Sequence, residues 1–208
     1  MGAVMLMFWN EKLVILQVPK TGSTALEAAL APRASMHISH PPQMRHLTYR
    51  RYAYRFAPFF ENFDPTPMEV LAVLRNPVNW VGSWYRYYLG SKFEGTDHST
   101  LGLTFSDFVD AVITGSDAPY AQIGTQSAMI APPPEGCAHP LRLFAYEDQP
   151  RFMAFLSQRF QTKIACHRMN QSKPVDLEIS ADLRAAIETH FAEDLSAWQR
   201  LHHPPPSA

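Results

Sequence analysis

Three short apolar runs, residues 12–18, 70–74 and 141–145, are nearly continuous rather than alternating, and each leads through a turn into a helix-forming segment. A strand that is apolar at every position has both faces covered, the condition of parallel strands inside an α/β layer. The segments that follow carry helical periodicity. Residues 24–30 stop before Pro32, and residues 48–63 set Tyr49, Tyr52, Phe56, Phe60 and Phe63 at helical spacing. Residues 80–89 form a stripe of Val81, Trp84, Tyr85, Tyr88 and Leu89, which leaves Ser83, Arg86 and Tyr87 on another face. Thr104 and Asp107 make a capping-box start for 104–114, Asp148 is the expected cap of 149–160, and a last helix is expected over 181–201. Strands alternating with helices predict a three-layer α/β fold, a mostly parallel sheet flanked by helices. The length suits one domain over 1–201, followed by a frayed tail over 202–208. The Gly/Ser/Pro-rich stretches 90–102 and 115–136 are expected loops, where substrate specificity would reside.

The first strand–helix junction reads Val18-Pro19-Lys20-Thr21-Gly22-Ser23-Thr24. Backbone N–H groups of Gly22, Ser23 and Thr24 have no intrahelical acceptor at a helix start, so the turn offers donors, a positive dipole end and one lysine to an anion. The order matters: Lys20 precedes the glycine, whereas the nucleoside-triphosphatase loop G-x-x-x-x-G-K-[ST] places its lysine after it and loads Mg²⁺ through the next hydroxyl. At the second junction the strand ends in Arg75-Asn76-Pro77, and Ser83 follows in an early helical turn. Pro77 is tolerated there because first-turn N–H groups lack a partner anyway. Arg75 and Ser83 can converge on a second phosphate.

Together the two segments resemble the sulfotransferases that use 3′-phosphoadenosine 5′-phosphosulfate (PAPS), in which a P-K-T-G-[ST]-T turn holds the 5′-phosphosulfate and an R-N-P-x5-S segment the 3′-phosphate. The resemblance implies a P-loop-like sulfotransferase fold, with Lys20, Thr21, Gly22, Ser23, Thr24, Arg75 and Ser83 binding the cofactor. It implies transfer of a sulfuryl group to a hydroxyl or amine, leaving 3′-phosphoadenosine 5′-phosphate (PAP), with no metal required. Leu143-Phe144-Ala145-Tyr146-Glu147-Asp148 is similar to a strand and Tyr-Glu-Asp of that family, though Tyr146, Glu147 and Asp148 read as structural. Asn170, Ser172 and Lys173 resemble a late segment at the 3′-phosphate end, while the Arg-Lys-Gly run of the steroid- and phenol-type enzymes is missing. Family members place a catalytic base between the first helix and the Arg75 strand, where His37, His40 and His46 lie. Arg45-His46-Leu47-Thr48 is similar to a segment of the bacterial and carbohydrate-type branch, which favours His46, with His40 second. Two other readings stay open: an ATP-dependent P-loop kinase of small molecules and a non-catalytic nucleotide-binding relative.

A net charge of −1 provides no broad field for nucleic acid or an anionic membrane, so a polyanionic cofactor has to be held by local donors. Arg50, Arg51 and Arg55 read as a solvated helix face, with docking of an acidic acceptor such as a sugar acid as the other reading. Cys137 and Cys166 are too few for a disulfide scaffold or a zinc site and read as reduced thiols. The apolar run 4–9 is short and lacks a basic region and cleavage site, and no segment approaches the roughly 20 apolar residues of a membrane span. The expectation is a cytoplasmic protein acting on a small-molecule or carbohydrate acceptor. Sugar, lipid, peptide tyrosine and phenol all remain open as that acceptor.

Overall fold

The computed structural model describes residues 5–38, 40, 46–133, 139–164, 175 and 177–202. Asn170, Ser172, Lys173, Cys137 and Cys166 lie outside the described residues, as does the tail beyond residue 202. A five-stranded sheet runs through the molecule in the order β3-β1-β2-β4-β5. The parallel half is the expected one: β2 (Leu13–Leu16), β4 (Glu69–Leu74) and β5 (Leu141–Ala145) are neighbours, with Val14 beside Val70 and Val70 beside Leu141. The other half corrects the expectation of a mostly parallel sheet. β1 (Met5–Phe8) forms an antiparallel hairpin with β2, and β3 (Met36–Ile38) pairs antiparallel with β1. Two of the four pairings are therefore antiparallel, and the apolar run near the N-terminus is a strand of the core.

Nine α-helices are found among the described residues: α1 (Ser23–Leu30), α2 (Tyr49–Arg55), α3 (Ala57–Glu61), α4 (Pro77–Tyr88), α5 (Phe105–Ile113), α6 (Gln126–Ile130), α7 (Gln149–Arg159), α8 (Ala181–His190) and α9 (Ala192–His202). The expected helix over 48–63 is two helices. Pro58 lacks an N–H and its ring opposes the carbonyl four residues back, so α2 ends before it and Pro58 enters the first turn of α3. The helix expected over 181–201 also divides, at Phe191, whose ring is 2% exposed and packs edge-on against Trp80 at 5.8 Å. No glycine or proline marks that break; tertiary burial makes it. Among the caps, Thr104 and Asp107 form the expected capping box, and Asp148 accepts from Arg151 N–H at 3.2 Å.

Strand residues alternate between two cores, which is why the strands read as continuously apolar. Met5, Met7, Val14, Leu16, Val70, Ala72 and Leu74 face α2, α3 and α9. Leu6, Phe8, Leu13, Ile15, Leu71 and Val73 face α1 and α7 through Leu26, Leu30, Phe152 and Leu156. Each such side chain contributes roughly 1.5–3 kcal/mol on burial. A third cluster, built from Trp80, Val81, Tyr85, Phe105, Phe108, Ile187 and Phe191, joins α4, α5 and α8 beyond the end of β4. It holds α4 next to the C-terminal end of β4, the end of the strands where ligands of α/β sheets bind.

Candidate anion-binding site

Between β2 and α1 the chain turns in six residues. Thr21 is buried, and its hydroxyl donates to Val18 O at 2.8 Å, which closes the turn. Gly22 has φ +82° and accepts the first helical bonds from Ala25 and Leu26 N–H. That backbone region suits glycine, while an L residue strains there. Lys20 also has a positive φ, +64°, a conformation costing of order 1–3 kcal/mol that persists where surrounding contacts impose it. Those contacts come from the second junction: Arg75 Nη1 donates to Lys20 O at 3.2 Å, and Trp80 Nε1 donates to Pro19 O at 2.8 Å. The structure thus joins the two sequence motifs directly. Ser23 and Thr24 occupy the first turn of α1, half-buried.

Arg75 is held by an element that sequence reading leaves as loop. The side chain of Gln126, fully buried, accepts from Arg75 N–H and donates to Arg75 O, both at 2.8 Å, as a neighbouring strand would. Gln126 is fixed in turn by Asp194, whose carboxylate accepts from Gln126 N–H at 2.8 Å and Ser127 N–H at 2.7 Å. The Arg75 guanidinium stands 4.5 Å over the Tyr146 ring. Next along the chain, Asn76 caps α4 by accepting from Val78 and Asn79 N–H, and Glu147 accepts from both Asn76 N–H and Trp198 Nε1. Tyr146, Glu147 and Asp148 therefore brace the second junction and start α7.

On a half-buried side of α4, Ser83, Arg86 and Tyr87 lie within one turn, as their spacing implies. Lys20 Nζ sits 3.9 Å over the Tyr87 ring and 5.8 Å from Trp84, and Lys92, in the loop after α4, sits 3.9 Å over the same Tyr87 ring. Burial first, then the charges of Arg75, Lys92 and Arg86, pull the Lys20 ammonium down to about 7. Burial likewise lowers Arg75 and Arg86, with Tyr146 and Glu147 partly offsetting it at Arg75. Among the described residues, none of Lys20, Arg75, Arg86 and Lys92 takes part in a salt bridge. Two donors here, Arg75 Nε and Trp84 Nε1, are buried with no hydrogen-bond partner among the described residues. Four cations, unpaired donors and a helix start gather in one place, an arrangement whose electrostatics favour an anion.

The histidines separate. His37 lies in β3 and meets Glu27 of α1 at 3.2 Å. His40, just past β3, is exposed. His46 is the one brought to the turn, its Nδ1 3.0 Å from Gln17 O, three residues before Lys20. A carbonyl only accepts, so Nδ1 is the donor of this bond. Sequence reading anticipates Arg86 and Tyr87 as a ligand-facing side of α4 but misses Lys92, Gln126 and Asp194, which reach the site through tertiary structure. An open groove of about 510 Å³, lined by Asn10, Glu11, Lys12, Arg159, Phe160 and Gln161, lies at the opposite ends of the strands and has no such cation cluster. Comparison with family models, with curated proteins and with solved structures returns no match, and the site is defined by its own geometry.

Proposed function

We propose that this protein is a PAPS-dependent sulfotransferase with a P-loop-like fold. The observation that carries the reading is the link between the two junctions: Arg75 donates to the carbonyl of Lys20, and Arg86 and Lys92 join them in one cluster of cations. One phosphate asks for one cradle; two cradles sharing a wall suit a ligand with phosphates at both ends of an adenosine. The residues present fit it, since Arg75 Nε and Trp84 Nε1, unpartnered among the described residues, are donors that an anion would satisfy. Lys20 and the N–H groups of Gly22, Ser23 and Thr24 would hold the 5′ end, and Arg75 with Ser83 the 3′ end.

The donor supplies an activated sulfuryl group. In the loose transition state of such transfers, positioning and charge neutralisation provide most of the catalysis. Lys20 supplies positive charge where the departing phosphate becomes more negative. His46 is the candidate base for the proton of the acceptor hydroxyl or amine, which is a sugar, lipid, phenol or peptide side chain. The test is a thermal melt without Mg²⁺: PAP at a hundredfold excess over its dissociation constant should stabilise the protein by roughly 2.7 kcal/mol. Stabilisation by Mg-ATP with none by PAP would replace this reading with a P-loop kinase.

A further inference from the structure

We propose that the outer face of α2 and α3 is a docking surface for an anionic lipid bilayer. Among the described residues five large apolar side chains are exposed, and three of them, Tyr54 at 46%, Phe59 at 60% and Phe63 at 73%, fall within ten residues of one another. The Phe59 and Phe63 rings are in contact, 5.5 Å between centroids, and Phe59 rests on the buried Phe60 at 5.3 Å, so the exposed pair is backed by the core. On α2, just before these rings in the chain, Arg50, Arg51 and Arg55 are exposed and, with Tyr54, line an open groove of about 430 Å³.

The acids of this segment are already engaged. Glu61 meets His139 at 3.3 Å and Asp64 meets Lys12 at 2.6 Å, whereas none of the three arginines has an acidic partner among the described residues. Tyr52, Ala53, Ala57 and Phe60 take the inner face into the core, and the exposed side chains of the two helices include the three arginines, Tyr54 and Phe59, with the one acid of these helices, Glu61, beside His139. That pairing of arginines with rings is selective. A soluble polyanion would use the arginines and leave Phe59 and Phe63 in water. A second copy using this same face would cover the rings, but the acids it brings, Glu61 and Asp64, already meet His139 and Lys12. A bilayer surface uses both, with phosphates for the guanidiniums and the headgroup boundary for the rings. This contact is superficial: no helix among the described residues is long and apolar enough to cross a membrane.

Co-sedimentation with phosphatidylcholine vesicles, with and without phosphatidylglycerol, tests it on the intact chain. Binding is expected only to vesicles containing phosphatidylglycerol, weakening as salt rises. Partitioning should fall at least about tenfold in Arg50→Gln/Arg51→Gln/Arg55→Gln and again in Phe59→Ser/Phe63→Ser. Phe63→Ser alone, at the most exposed position, serves if the double variant melts early. Three results overturn the proposal: no binding to the anionic vesicles, equal binding to neutral ones, or binding that survives loss of the phenylalanines and is matched by dextran sulfate. A phenylalanine variant that turns a dimer into a monomer in light scattering, without a change in vesicle binding, would assign the face to self-association and overturn it as well.

Discussion

Lys20 combines a left-handed backbone with an ammonium crowded by three other cations, and both features destabilise the free protein. The sign of the pH effect follows. The unfolded chain holds the lysine proton up to about 10.5 and the folded one only to about 7, so between those values the free protein gains stability as pH rises. Lys20→Met should accordingly stabilise the free protein, most of all below pH 7, in melts run across that range. Ligand binding reverses the balance. At pH 8 the phosphates of PAP are fully ionised, their second ionisation lying near about 6, and an anion should restore the Lys20 charge. Calorimetry in buffers of different ionisation enthalpy should then show uptake of close to one proton per PAP bound, absent in Lys20→Met, with affinity falling as pH climbs above 7. No uptake would mean that Lys20 does not face the ligand. In the proposed function His46 serves the other substrate, so His46→Ala should leave PAP affinity unchanged and cut turnover by about 10² to 10⁴. Retained turnover in His46→Ala with loss in His40→Ala would move the role to His40.

At the scale of elements, the second junction depends on α6, a helix of five residues whose start is capped both by Thr125 and from a distance. Asp194 accepts both Gln126 and Ser127 N–H, and Gln126 brackets the Arg75 backbone. Asp194→Ala leaves buried donors unpaired and should lower stability by about 2–3 kcal/mol in urea unfolding. It should also weaken PAP binding, although Asp194 itself has no place in the anion cluster. Full stability in that variant would show that α6 holds itself. This device also explains what a sequence discloses. The β2 turn is legible because its causes are local: a continuous apolar run, a glycine at positive φ and an unpaired helix start. The capping box of α5 is legible for the same reason. By contrast, α6 has a local cap in Thr125 but gives its first two N–H groups to a carboxylate 68 residues from Gln126, and β1 and β3, of four and three residues, are strands only because they pair. Lys92 belongs to the cluster because of the path taken after α4, which no local pattern encodes.

For the whole molecule, the two-sided sheet core supports the strand ends, and the cluster of α4, α5 and α8 fixes the helix that carries Ser83, Arg86 and Tyr87. The mixed sheet does not disturb this arrangement, because its antiparallel half, β1 and β3, lies on the far side of β2 from Arg75. In the proposed function β2 and β4 divide the labour: the β2 turn for one phosphate, the end of β4 for the other. Isothermal titration of the native protein and of Arg75→Ala with PAP and with AMP, which lacks the 3′-phosphate, tests that division most directly. Native protein should bind PAP more tightly than AMP without any metal, and Arg75→Ala should cost PAP about 1.5–3 kcal/mol while changing AMP far less. Equal losses for the two ligands would show that Arg75 serves only to brace the Lys20 turn, and would contradict a site built for two phosphates.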